Sequence, residues 1–328
     1  MQIEEYTVDD AAVVDEVVEL TRAVEKAESP WVHPTTVTTF TGMLRHGWDG
    51  ETPHVFVARE DGRVVGRSEY WVSEWDNTHL AWLGVVVHPD ARRRGVGRAL
   101  VTALVDRARS EGRTTVGIDG WDDPATHAFA EALGFEKASQ AVNRRQYLAD
   151  IDQDVLAKLY DEAATAASSY ELQRIVGRTP DDLMDKVSAM SAAINDAPTD
   201  DLDIEDEVFP PERIRAYEDA TAARGQRMYR LMARHRETGE LAGHTIVAVE
   251  EQRPTIGHQH DTSVVRGHRG HRLGLLLKAA MVRWLAEVEP QVESVDTWNA
   301  ESNDHMIAVN EQLGYRVLAR EVQFQRSL

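Results

Sequence analysis

The sequence contains no cysteine. Disulfides, thiolate metal sites and a cysteine nucleophile are therefore all excluded. Long apolar runs are missing too: none approaches the roughly 18 residues that a membrane-spanning helix needs, so no membrane partner is expected. Positive charge is scarce, with 36 Lys and Arg against 56 Asp and Glu and a net charge of −20. A polyanion would be repelled by that balance, which argues against a nucleic-acid partner. The same balance suits either a cationic, amine-bearing substrate or solubility alone. The opening residues, MQIEEYTVDD, lack a basic-then-apolar signal pattern, which gives the expectation of a cytoplasmic protein. There is no GxxxxGK[ST] and no GxGxxG opening a helix, so neither a P-loop nor a dinucleotide fingerprint is present.

What is present fills two ordinary domains: 328 residues, 42% hydrophobic and 28% charged. The first half reads as alternating strands and helices. Val13, Val17, Leu20 and Val24 fall on one helical face. Two strands flank the turn at Asp61-Gly62, and an apolar strand, HLAWLGVVVHP, is stopped by Pro89. A helix follows from Gly97, then the strand TTVGIDGW, then a short helix opened by Pro124 and closed by Gly134. After a charged helix, DQDVLAKLYDEAATAA, the second half repeats this order. Gly97 to Trp121 and Gly274 to Trp298 both span 24 positions, and each half then reaches Leu-Gly-aromatic, at Leu133-Gly134-Phe135 and Leu313-Gly314-Tyr315. The spacing predicts two copies of one domain, 1–152 and 153–328, with the linker helix opening the second. The acidic stretch NDAPTDDLDIEDE is either a solvated loop or a cover for a substrate cleft.

The stretch RRRGVGRAL follows a strand and opens a helix. Inward-pointing N–H groups, a helix dipole, glycines and arginines together suit a pyrophosphate; a plain basic helix start is the other reading. VVVHPDARRRGVGRAL resembles the acetyl-CoA motif of the GCN5-related N-acetyltransferases, in which Arg92, Gly95 and Gly97 match fully. VVRGHRGHRLGLLLK matches less strictly: Arg269 and Gly274 align, Arg272 replaces the first glycine, and Gly270 sits two residues earlier. The resemblance covers nearly the whole chain. It implies a mixed α/β fold of two tandem domains, acetyl-CoA as donor, and direct attack by the amine of a small molecule. It also implies a splayed strand before each motif that holds the pantetheine arm, here residues 83–87 and 261–265. The cofactor contacts it implies are Val85, Val86, Val87, Arg92, Arg93, Arg94, Gly95, Val96, Gly97 and Arg98 in the first copy. In the second they are Ser263, Val264, Val265, Arg269, Gly270, His271, Arg272, Leu273 and Gly274. Asn299 and Asn303, beyond the next strand, read either as contacts to the pantetheine or acyl carbonyl or as ordinary turn-and-cap residues.

An amine that attacks a thioester must lose a proton. In the family the base often lies on the strand before the motif, at positions that count back to Ala81 and Leu83 in one half and to Gln259 and Asp261 in the other. Strand alternation places Gln259 and Asp261 on one face and His258 and His260 on the opposite one. This favours the second copy as the catalytic one, with Asp261 as base or anchor and Gln259 positioning substrate. Asp261 capping a turn or pairing with an arginine is the alternative. His258 and His260 read as packing residues, and no metal is expected. The tyrosine that often serves the family as acid is replaced by Ala130 and Asn310. Acceptor specificity is expected from residues 28–53 and 196–212. Two fused domains fit a monomer. Competing readings are a non-catalytic acyl-CoA binder, a catalytic first copy beside a degenerate second, and a plain interaction module.

Overall fold

The helical face read from residues 11–28 forms as a helix because its three valines and a leucine recur at turn spacing and its start is capped. In the computed structural model, which describes residues 1–328, α1 (Ala11–Glu28) begins where the Asp10 carboxylate accepts the Val13 N–H at 3.3 Å. Before and after it come β1 (Gln2–Tyr6), α2 (Val37–His46), β2 (His54–Glu60), β3 (Arg63–Trp71), β4 (Leu80–Val87), α3 (Val96–Ser110), β5 (Thr115–Trp121), α4 (Pro124–Ala132) and β6 (Glu136–Tyr147). Asp123 caps α4 just ahead of Pro124, accepting from Ala125 N and Thr126 N. The second half runs α5 (Gln153–Ala166), β7 (Tyr170–Val176), α6 (Met184–Ser191), α7 (Pro211–Ala223), β8 (Gln226–His235), β9 (Leu241–Glu250), β10 (Ile256–Val264), α8 (Leu273–Val288), β11 (Ser294–Ala300), α9 (Asp304–Gln312) and β12 (Arg316–Ser327). No helix is long and apolar enough to cross a membrane.

The chain packs as two compact units, and these do not follow a single cut near residue 152. The first holds Met1–Ser139, Asp201–Asp206 and Glu321–Leu328; the second holds Gln140–Asp200 and Glu207–Arg320. The reason is an exchange of closing strands. In the first unit the strand order is β1-β2-β3-β4-β5-β12, with β12 residues from Glu321 to Ser327 pairing antiparallel with β5. In the second it is β7-β8-β9-β10-β11-β6, with β6 residues from Ala141 to Tyr147 pairing antiparallel with β11. Arg145 of β6 is anchored there by a two-pronged ion pair to Asp296, at 2.6 and 2.7 Å. Residues 201–206 of the acidic stretch are likewise anchored in the first unit. Asp203 accepts from Thr115 Oγ1 at 2.7 Å and its N–H donates to Gln325 Oε1 at 2.6 Å.

Each unit is a mixed sheet with helices on both faces. In the first, Tyr70, Ala81, Leu83, Val116, Ile118, Val322 and Phe324 form a core with α3 and α4, while Val55 and Val57 pack against α1 and α2. In the second, α8 is apolar nearly all round, because the linker helix α5 adds Leu156 and Ala163 to the core on which α8 already rests. Leu277 at its centre has no exposed surface, so truncation to alanine there costs about 2–5 kcal/mol.

Because each sheet ends on a strand from the opposite half of the sequence, neither half carries a complete unit. Residues 1–152 and 153–328 expressed separately are expected to be insoluble or molten by near-UV circular dichroism. Co-expression should restore a stable complex. Two independently folded, stable halves would contradict the strand exchange.

Candidate active site

Within each unit one parallel strand pair comes apart. β4 and β5 pair only at Leu80–Thr115, Ala81–Val116 and Trp82–Gly117, although β4 runs on to Val87. β10 and β11 pair only at Ile256–Ser294, Gly257–Val295 and His258–Asp296. Beyond those residues the inner edges of β4 and β10 carry backbone groups with no strand partner, and an extended ligand can pair with them.

The loops that follow are built alike. Arg92 Nε donates to the Val87 carbonyl and Arg269 Nε to the Val264 carbonyl, both at 3.1 Å, so each motif arginine ties the strand end to the loop. Each loop then needs two left-handed residues before its helix. The first copy uses Arg93 (φ 60°) and Gly95 (φ 89°); the second uses Gly270 (φ 87°) and Arg272 (φ 56°). Glycine and arginine have exchanged places, and the backbone path survives. An arginine in this region costs about 1–2 kcal/mol relative to a right-handed position, and each loop carries one.

The two cradles differ in what fills them. In the second unit a cavity of about 530 Å³ lies against the loop. It is lined by Thr262, Ser263 and Val264 of β10, by Arg269, Gly270, Arg272, Leu273 and Gly274, by Asn303, Met306 and Val309 of the α9 region, and by Ala193, Ile194, Asp196, Ala197 and Pro198 after α6. Such a volume is in the range of small-molecule sites. A Cβ added to Gly274 would meet nothing within 4 Å, and the Ser263 hydroxyl is buried without a partner. In the first unit the Phe129 ring of α4 lies against the helix start: a Cβ on Gly97 would come within 3.0 Å of it. Val309 holds the position equivalent to Phe129, five residues before the glycine that closes the helix.

The remaining expected contacts are placed as follows. Val85 packs beneath α3 and Val96 is buried there. Arg94 pairs with Glu60, and Arg98 Nη2 donates to the Ala132 carbonyl at 3.3 Å. Val265 packs against the core beside α6, and the His271 ring lies 5.5 Å from that of Tyr170. Asn303 caps α9, accepting from Met306 N at 3.2 Å. Asn299 accepts from Asn310 Nδ2 at 2.7 Å, a contact within the unit's own framework. Of this lining, Ala193, Ile194 and Met306 were missed, because nothing marks those apolar residues, whereas Asp196, Ala197 and Pro198 fall within the segment expected to shape the acceptor pocket and line the cavity beside the donor motif instead.

The face assignment of β10 needs correction. An irregularity in its pairing with β9 falls between Gln259 and Thr262, and a bulge there breaks strict alternation. Gln259 pairs with Val247, on the face packed against α8, and its amide donates to Thr245 Oγ1 at 3.0 Å and to the Ile246 carbonyl at 2.6 Å. It therefore holds the bulge and does not share a face with Asp261. His260 instead joins Asp261 on the α7 side, where His260 Nδ1 and Tyr217 Oη are hydrogen-bonded at 2.5 Å. Desolvation pushes the Asp261 carboxyl above the usual range, opposed by the nearby Arg230 guanidinium. Desolvation also lowers His260 to about 3, with His258 and Arg224 acting in the same direction, so its ring is neutral. Tyr217 is raised by burial and by Asp261, and stays protonated at neutral pH. His258 bonds Glu250 at 2.8 Å.

In the first unit, Ala81 and Leu83 are core residues beneath α3 rather than an apolar acceptor face. The opposite face carries Trp71 beside Trp82, then Glu69 beside Gly84, then Glu321 beside Trp121. Trp71 Nε1 donates to Glu69 at 3.0 Å, and Trp82 Nε1 donates to Asp119. Glu321 is pushed up to about 8 by desolvation and by Asp119.

The contrast between the glycines is measurable. Gly274→Ala has open space and gains helix propensity, so it should leave the free protein as stable or up to about 1 kcal/mol more stable. Gly97→Ala must push Phe129, and overpacking costs about 1–3 kcal/mol. Thermal melts should rank Gly97→Ala below Gly274→Ala; the reverse order would show that the Phe129 contact is not tight.

Comparison with known proteins agrees with this geometry. A profile of the acetyltransferase (GNAT) family matches residues 19–135 and again 193–315. The chain is 31% identical over 159 residues to a mycothiol acetyltransferase of Stackebrandtia nassauensis, covering 47% of this chain and 49% of that one. It is 33% identical over 90 residues to the L-amino acid N-acyltransferase MnaT of Escherichia coli, covering 26% and 52%. The chain thus spans about half the length of the curated relatives it matches. Among solved structures, a tandem GNAT protein from the clavulanic acid biosynthesis pathway is 28% identical with a TM-score of 0.81, over 99% of this chain and 98% of that one. With the family's domain matched twice and the whole fold shared with a tandem member, the chain belongs to the acetyltransferase (GNAT) family and carries two tandem copies of its domain.

Proposed function

We propose that the second unit carries out the transfer, moving an acetyl group from acetyl-CoA to the amine of a small molecule. The observation that carries this reading is an open cavity along β10 in the same unit as a carboxylate with a raised pKa, whereas Phe129 crowds the first cradle. The residues fit the donor: unpaired β10 backbone for the pantetheine arm, the Arg269-to-Gly274 loop and the start of α8 for the pyrophosphate, and Ser263 as a free hydroxyl. Acetyl-CoA would supply a thioester-activated acetyl group.

Asp261 takes the proton that the acceptor ammonium must lose. Its raised pKa makes it a better base than an ordinary aspartate, and the Arg230 guanidinium opposes the rise and so favours the ionised form. Tyr217 and His260 hold the acceptor side of the bulge through their mutual hydrogen bond. Gln259 acts indirectly, by fixing the bulge that turns Asp261 toward α7. The L-amino acid N-acyltransferase among the relatives supports a small amine as acceptor.

A second reading has one observation in its favour. The Trp71, Trp82, Glu69, Asp119 and Glu321 face of the first unit could bind an ammonium group, and a carboxyl near 8 suits a base. The two readings make opposite forecasts. Asp261→Asn should keep CoA affinity while turnover falls by about 10² to 10⁴. The wild type should lose activity as pH falls through a pKa above that of an ordinary aspartate, since only the ionised carboxylate accepts the proton. Asp261→Asn should flatten that limb, and Glu321→Gln should leave it in place. Loss of turnover in Glu321→Gln with normal Asp261→Asn would move the chemistry to the first unit.

A further inference from the structure

The cavity of the second unit has a carboxylate where a phosphate is expected. Asp196, at the end of the turn that follows α6, lines the cavity together with Arg269. It is hydrogen-bonded by two guanidiniums at once: Arg266 Nη2 donates to Oδ1 and Arg269 Nη2 to Oδ2, the latter at 2.5 Å. Arg269 is not free to swing, because its Nε is committed to the Val264 carbonyl. We propose that Asp196 sets the charge selectivity of the cofactor cavity: its carboxylate occupies the arginine pair until a phosphate of the ligand displaces it. This rests on reading the second unit as the acetyl-CoA site.

Three observations support the assignment. The first is charge. Two guanidiniums and one carboxylate leave a single positive charge at the rim, so a ligand must bring more negative charge than Asp196 to compete. An uncharged ligand gains nothing from the pair. The second is that the arginines hold the Asp196 carboxyl below its usual range, Arg266 foremost, so the competitor is ionised at any neutral pH. The third is repetition. In the first unit Arg92, tied through Nε to the Val87 carbonyl, pairs with Glu28, the last residue of α1. The two copies have diverged in loop residues and cavity filling. Both still place a carboxylate, from the end of the helical segment that follows β1 or β7, on the first motif arginine. A chance surface pair would not recur at equivalent positions.

The test is calorimetric titration of CoA into the wild type, Asp196→Asn, Asp196→Ala and Gly274→Asp, with pantetheine as a phosphate-free probe measured by displacement. Removing the competing charge should tighten CoA by roughly three- to tenfold at low salt in both Asp196 variants, with the gain shrinking as salt rises and pantetheine unchanged. Unchanged or weaker CoA binding in the Asp196 variants would overturn the proposal, as would an equal gain for pantetheine, which would mean reshaping rather than charge. Gly274→Asp separates the two levels. Loss of one CoA site in that variant shows that the second unit is a donor site and that the Asp196 result bears on it. An unchanged number of sites removes the donor site itself, and the role of Asp196 with it.

Discussion

The site in each unit depends on one constraint: a parallel strand pair that holds for three residue pairs and then parts. A sheet interior normally satisfies every backbone group. By ending the β10–β11 pairing at His258–Asp296, the fold leaves a strip of donors and acceptors that an extended ligand can complete. The parting also makes room for the cavity and aims the following loop at it. The Arg269-to-Val264 bond keeps the free strand end from fraying, and its twin does the same in the first unit. Even the strand exchange bears on this, since β11 and β5 gain on their other side the pairing they give up along the gap.

With that scaffold fixed, the copies differ by small substitutions with large consequences. Exchanging a glycine and an arginine within the loop preserves the path of the chain. Placing Phe129 where the other copy has Val309 brings an aromatic ring onto Gly97. One bulge on β10 turns Asp261 and His260 toward α7, while β4, without it, presents Gly84 beneath Glu69. The side chains beside the two strand gaps are consequently unlike: an aspartate, tyrosine and neutral histidine near Arg230 in one unit, tryptophans and carboxylates in the other.

Much of this was legible in the sequence, for physical reasons. Gly97 and Gly274, with their matched distances to Trp121 and Trp298, exposed the duplication because loop geometry tolerates few residue types. The strand and helix order followed from apolar period. Three things were not legible. Strand exchange leaves no mark, since β6 and β12 look alike whichever sheet they close. A bulge shifts side chains by one position without altering composition, which is why Gln259 was expected beside Asp261. The closing of a cradle depends on one ring, Phe129, on a different helix, and only packing reveals it.

A crystal structure with acetyl-CoA bound tests the central claim most directly. The account predicts donor density in the second unit, with pantetheine along residues 262–264 of β10 and its pyrophosphate at the start of α8 beside Gly274. The acetyl carbon should lie on the Asp261 side of the bulge. Donor density confined to the first unit, with the Phe129 ring displaced from Gly97, would contradict it.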